Sequence, residues 1–206
     1  MVERHFYEPA RGHGLKHDPF NAIVGPRPIG WVSSQGADGS VNLAPYSFFN
    51  AFNYVPPIIG FSSIGAKDSL RNVRETGEFV WNIATKALAE QMNQSCADLA
   101  YGVDEFDFAG LTKLPARLVA PPRVAESPVH FECKVTEIIQ LKTHLGVSVP
   151  SWLVLGEVVG VHIDPALLKE GVFDTFGANI ILRAGGPSAY AMITPETRFD
   201  MVRPRV

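Results

Sequence analysis

The sequence predicts a mainly β fold, a closed or nearly closed antiparallel barrel with a few short helices attached. Three observations carry this. Eighteen Gly and 16 Pro among 206 residues punctuate the chain too often for long helices. Short runs rich in β-branched and aromatic residues recur between turn signals. The regular alternation of strand and helix that a doubly wound parallel sheet requires is missing. With no repeat and no low-complexity tract, the chain reads as one domain over residues 1–206, with an arm at 1–17 and a tail at 192–206.

In chain order, residues 28–34, 40–44, 58–62 and 79–84 read as strands. Gly36-Ala37-Asp38-Gly39 supplies an Asp-Gly turn that makes the first two a hairpin. Asp68 is placed to cap a helix carrying Leu70 and Val73 on its apolar stripe, with Gly77 to stop it. A second helix follows Thr85, with Leu88, Met92 and Cys96 at i, i+4, i+8. Residues 99–128 hold Pro115, Pro121, Pro122 and Pro128 and read as an extended, ordered excursion. Two longer strands follow at 131–141 and 152–163, the first alternating as a half-solvated strand does, the second apolar on both faces. Asp164-Pro165 opens a helical turn that Gly171 closes.

Eighteen basic against 21 acidic residues give a net charge of −3, so a nucleic-acid or anionic-membrane partner is not expected. No run approaches the ~20 apolar residues of a membrane span and Met1 to Phe6 lacks a secretory apolar stretch, which makes a cytoplasmic protein the expectation. Two cysteines, Cys96 and Cys133, are too few for a disulfide framework or a four-ligand zinc site and read as free, mostly buried thiols. Gly-x-Gly-x-x-Gly, the Walker phosphate loop, His-Glu-x-x-His and Gly-x-Ser-x-Gly are all missing. His13 and His17 lack a carboxylate at ligand spacing, so no metal site is expected. His162 interrupts an apolar strand and therefore needs a polar partner.

The chemistry concentrates between Arg27 and Asn72. Strand ends present the hydroxyl pairs Ser33-Ser34 and Ser62-Ser63, and Asn42 leads into Ala44-Pro45-Tyr46-Ser47. Pro45, lacking a backbone donor, is placed to interrupt pairing and free neighbouring amides for a ligand. Lys67-Asp68-Ser69 joins a cation and a hydroxyl to unpaired amides at a helix start, which outlines a phosphate site. Each segment alone also reads as ordinary capping, a bend, or a solvated face for Lys67, Arg71 and Arg74.

Taken together, Arg27-Pro28-Ile29-Gly30-Trp31-Val32-Ser33-Ser34, then Asn42 to Phe49, then Lys67-Asp68-Ser69-x-x-Asn72 resemble the flavin reductase-like family of FMN-binding split-barrel proteins. Residues 156–163 and 183–191 are similar to that family's late strand and C-terminal region, so the likeness covers roughly residues 18–191. The resemblance implies a homodimeric, six-stranded Greek-key split barrel that binds FMN. It implies that Ser33, Ser34, Lys67 and Ser69 hold the phosphate and ribityl chain, that Asp68 and Asn72 order that turn, and that Ala44, Pro45, Tyr46 and Ser47 lie against the isoalloxazine edge. Arg27 and Ser62 join the set, with Gly185 and Tyr190 as C-terminal candidates. The activity implied is NAD(P)H-dependent flavin reduction, NADH or NADPH acting as a transient reductant and an oxygenase as a possible recipient of reduced flavin. The other readings are an FMN electron carrier or store without turnover and a barrel that has lost its ligand. A site made of a cation, hydroxyls, amides and an apolar slot suits a phosphorylated, flat, amphipathic cofactor.

Overall fold

The computed structural model describes residues 2–204. Its centre is a seven-stranded sheet formed by β1 (Gly30–Gln35), β2 (Val41–Tyr46), β3 (Phe49–Asn53), β4 (Ile58–Ile64), β5 (Glu78–Asn82), β8 (Val129–Lys142) and β9 (Ser148–Ile163). The strand order is β2-β1-β5-β8-β9-β4-β3, and every pair is antiparallel. Between β5 and β8 lie the short strands β6 (Lys113–Leu114) and β7 (Arg123–Val124), and two small hairpins follow, β10 (Leu168–Lys169) with β11 (Val172–Phe173) and β12 (Ile181–Arg183) with β13 (Tyr190–Met192). The helices are short: α1 (Phe20–Ile23), α2 (Asp68–Thr76), α3 (Ala89–Gln94) and α4 (Glu105–Phe108).

The sheet is curled by register shifts along β8–β9, where extra residues bend one strand against the other. Gly156 assists: a Cβ there would meet the Phe79 ring at 2.4 Å, so only glycine lets this ring cross the strand. Strand alternation divides β1 between two cores. Trp31 packs with Leu43, Met92 and Phe106 beneath α3 and α4, whereas Val32 packs inside the curl with Phe61, Phe79, Cys133 and Val154.

The hairpin at Gly36 to Gly39 forms as expected, with the Gly36 N–H donating to the Ser40 carbonyl at 2.9 Å. Helix α2 stops at Gly77, whose φ of +70° suits glycine. Other expectations need correction. The sheet has seven strands where six were expected, because β3 was not read from the sequence. The helix after Thr85 is one 3-10 turn (Lys86–Leu88) followed by α3, and Cys96 lies beyond it and is exposed. Lys67, not Asp68, is the N-cap of α2, and no side chain caps that end. Pro45 does not interrupt pairing: it stands opposite Trp31 and Tyr46 stands opposite Gly30, since β2 is an edge strand where a missing donor costs no ladder bond. Asp164 caps only a 3-10 turn (Pro165–Leu167), and Gly171 instead turns the β10–β11 hairpin. The surface of Lys67, Arg71 and Arg74 is not uniformly solvated, because Arg71 stacks on Tyr101 and Arg74 on Trp152. Among the described residues, no helix is long and apolar enough to cross a membrane.

Candidate functional site

The start of α2 lies against the edge strand β2. Its buried residues Ser69, Leu70, Asn72 and Val73 face the sheet, so a polar pair at i, i+3 sits beside an apolar pair. The polar pair fastens the helix: Asn42 bonds Ser69 at 2.8 Å, and the Asn72 amide donates to the Ser34 hydroxyl at 3.2 Å. Lys67 and the first-turn amides are thereby held at the open edge of β2. Lys67 is exposed and has no ion-pair partner among the described residues.

A second anchor comes from the sheet. The buried Trp31 indole donates to the Ser95 hydroxyl at 3.0 Å, and Ser95 in turn donates to the Met92 carbonyl at 2.8 Å. This ties residues 95–99 opposite the start of α2 and encloses a cleft of about 680 Å³, within the usual range of ligand pockets. Its apolar side is Ala44, Pro45, Tyr46 and Leu99, and its polar side is Asn42, Lys67, Asp68, Ser69, Asp98, Tyr101 and Glu105. Burial raises the Tyr46 phenol above its usual pKa, so it stays protonated and able to donate. Cys96 also lines the cleft, and partial burial raises its thiol pKa.

Of the residues predicted for the site, the cleft brings together Ala44, Pro45, Tyr46, Lys67, Asp68 and Ser69. The others lie elsewhere. Ser33 and Ser34 are fully buried, Ser33 donating to the Pro122 carbonyl and Ser34 accepting from Asn72. Asn72 lies on the buried face of α2, turned to the sheet. Arg27 and Ser62 line a separate cavity of about 420 Å³ with Phe48 and Phe49. There Arg27 is engaged by the carbonyls of Ser47, Asn21 and Val24, so the Ser47 backbone orients the guanidinium. Tyr190 faces a further cavity with Met92 and Met192 and is stacked by Arg183, and Gly185 packs close to Ala22.

Sequence reasoning missed residues 95–99, Tyr101 and Glu105. One signal was available for Glu105: Asp104 caps α4 by accepting from the Phe106 N–H at 2.9 Å, followed by the apolar Phe106, Ala109 and Leu111.

His162 finds its partner away from this cleft. Its Nε2 meets Glu132 at 2.5 Å, and the fully buried Glu132 carboxylate also accepts the backbone N–H groups of Arg117 and Leu118. His130 is 5% exposed, its ring centroid 6.0 Å from that of His162. Both histidines line a separate cavity of about 750 Å³ beside the end of the 99–128 excursion.

Comparison with known proteins settles the family. The flavin reductase like domain matches residues 25–178, three-quarters of the chain. The chain belongs to the flavin reductase-like family. It is 35% identical over 180 residues to an uncharacterized protein of Halalkalibacterium halodurans, covering 83% of this chain and 85% of that protein. Among solved structures it is similar to nitrilotriacetate monooxygenase component B from Bacillus cereus, with TM-score 0.80, 30% identity and coverage of 88% of this chain and 91% of the other. A split barrel domain protein from Shewanella frigidimarina superposes with TM-score 0.78 at 22% identity, covering 89% of this chain and 90% of that one, which establishes the fold. The curled antiparallel sheet is thus a split barrel, and membership of this family associates the chain with flavin-related redox chemistry.

Proposed function

We propose that this flavin reductase-like protein is an FMN-dependent oxidoreductase, reduced by NADH or NADPH and passing electrons onward through reduced flavin. The observation that carries this reading is the meeting, in one cleft, of a cation without an ion-pair partner among the described residues and a helix start with the apolar edge Ala44 to Tyr46. Lys67 and the first-turn amides of α2 suit the FMN phosphate. Ser69, Asn42 and Tyr46 suit the ribityl hydroxyls, and Ala44 and Pro45 offer a flat apolar wall for the ring. Ser34 and Asn72 act on the phosphate through α2, which they tie to the barrel, and Ser33 acts through the Pro122 segment. Arg27 and Ser62 line a separate cavity and are not assigned a contact with the ring. Bound flavin supplies the hydride-accepting chemistry, while the protein orients the ring.

A recipient oxygenase is supported by the likeness to a monooxygenase component B at 30% identity. Homodimerisation is supported by apolar residues left exposed along one side of the barrel: Phe52, Tyr54, Val55 and Ile64 on β3–β4, with Leu145 and Val147 at the tip of the β8–β9 hairpin. Sedimentation at micromolar concentration is expected to show a dimer burying upwards of ~2,000 Å² in total. A monomer would contradict it.

Among the described residues, no histidine lines the cleft. Replacing His130, His144 or His162 singly by Gln is therefore expected to leave the rate of anaerobic flavin reduction within a few-fold. A general base typically contributes about 10²- to 10⁴-fold, so a hundredfold loss with FMN still bound would place an imidazole in the reaction.

A further inference from the structure

The cleft sets one cation, Lys67, among three carboxyl groups, those of Asp68, Asp98 and Glu105. Asp68 makes a 3.5 Å ion pair with Arg71. Glu105 has no cationic partner among the described residues and is only 7% exposed, at the floor of the cleft. One of its oxygens accepts the Leu43 N–H at 2.9 Å, closing a donor that edge strand β2 would otherwise leave open.

Its other oxygen faces the Asn42 amide. The amide nitrogen donates to Glu105 Oε1 at 3.2 Å and the amide oxygen accepts from Ser69 Oγ at 2.8 Å, so an ionised Glu105, which can only accept, fixes an orientation that consumes the Ser69 hydroxyl proton. A protonated Glu105 has a proton to give to the amide oxygen, and an amide turned over to take it would free the Ser69 hydroxyl to act as a donor in the cleft.

We propose that Glu105 is a proton-linked positioning residue, and that binding of a dianionic phosphate in this cleft is coupled to proton uptake at Glu105, relayed to Ser69 by the Asn42 amide. The inference rests on the flavin reading above and adds a regulation to it. Electrostatics points the same way. A phosphate dianion beside three carboxylates and one lysine gains if one carboxylate is neutralised. Burial already raises the Glu105 carboxyl above its ordinary value, Asp68 and Asp104 add repulsion, and only the backbone N–H groups of Leu43 and Glu105 itself oppose them. The other titratable groups lining the cleft are Lys67, Asp98, Tyr46, Tyr101 and Cys96. Of these, burial holds the Tyr46 phenol in its neutral form, and partial desolvation raises the Cys96 thiol.

The test compares FMN with riboflavin, which lacks the phosphate, on wild type and Glu105→Gln across about pH 5 to 8, where linkage of one proton changes affinity by at most about tenfold per pH unit. FMN affinity of the wild type is expected to fall with rising pH by about tenfold more than that of Glu105→Gln, while riboflavin affinity stays level in both. Parallel FMN profiles for the two proteins would overturn the proposal. Calorimetry of the wild type in buffers of different ionisation enthalpy requires no variant: FMN binding should take up protons and riboflavin binding should not. The phosphate's own titration, with a second pKa near 6, releases protons on binding as the dianion, so its sign is opposite. Absence of uptake at every pH in this range overturns the coupling alone. Failure of wild type to bind either flavin overturns the flavin reading and this inference together.

Discussion

Replacing Lys67 by Ala is expected to weaken FMN by roughly 10- to 150-fold and to leave riboflavin nearly unchanged. A lost charge-assisted hydrogen bond costs about 1.5 to 3 kcal/mol, and every 1.4 kcal/mol is a factor of ten. Lys67 is the N-cap of α2, exposed, unpaired and on the cleft wall, so its ammonium has no competing protein partner among the described residues. Arg74→Ala is the control. It lies on the same helix, but its guanidinium stacks on Trp152, 5.0 Å from the ring centroid and outside the cleft. Equal losses for FMN and riboflavin, or equal losses for the two variants, would remove Lys67 from the phosphate site.

Stability is expected to fall by roughly 3 kcal/mol as pH drops from about 6.5 to 4 through His130 alone. Its Nε2 bonds the Val124 carbonyl at 2.8 Å, while its buried Nδ1 has no partner among the described residues. Burial pushes the imidazole down to about 4, with Arg123 and His162 adding to it and the Val124 carbonyl and Glu132 opposing. An unfolded histidine takes up its proton near 6.5, the folded one only near 4, so between these values acid favours the unfolded chain. Above pH 6.5 the penalty vanishes. Glu132, whose carboxylate is held below the ordinary range by the Arg117 and Leu118 amides and by His162, loses stabilisation in the same direction on acidification. Denaturant unfolding from pH 7 to 4 checks this. The His130→Gln variant, whose amide can still reach Val124, should lose about 3 kcal/mol less over that range than the wild type. Identical profiles would show that His130 protonates freely in the folded state.

Much of the barrel was legible because its signals are local. The Asp-Gly turn, the alternation in 131–141 and Gly77 act within a few residues, and β1–β2, β8 and α2 appear where those signals lie. Strand β3 escaped detection because Phe49 to Asn53 carries no β-branched residue, includes Asn50 and Asn53, and is almost wholly exposed. It is a strand because β4 lends it a partner. Pro45 misled for a related reason: whether a missing N–H breaks a ladder depends on which strand is the edge, which is a property of the sheet.

Two of the three walls of the candidate cleft were legible in the sequence. Ala44 to Tyr46 and Lys67 to Ser69 are short, dense runs, and the cleft unites them. The third wall, residues 95–99 with Tyr101 and Glu105, is assembled by long-range bonds. Trp31 reaches Ser95, Tyr101 bonds Asp38 and Ser40, and Glu105 bonds Leu43, all across more than sixty positions of chain. No local pattern encodes such pairings. Conversely, Ser33 and Ser34 look free in sequence because hydroxyls at strand ends often are, yet Pro122 and Asn72 engage them in the interior.

The proposed function requires the cleft to hold FMN and this flavin to turn over. An anaerobic titration of the FMN-loaded protein with NADH and with NADPH, followed by its visible spectrum, then exposure to air, tests both. Flavin bands are expected on the purified or reconstituted protein, with bleaching by at least one nicotinamide at stoichiometric amounts and recovery of the bands with oxygen. A protein that stays colourless after incubation with FMN, or a bound flavin that neither nicotinamide bleaches, would contradict the proposed function.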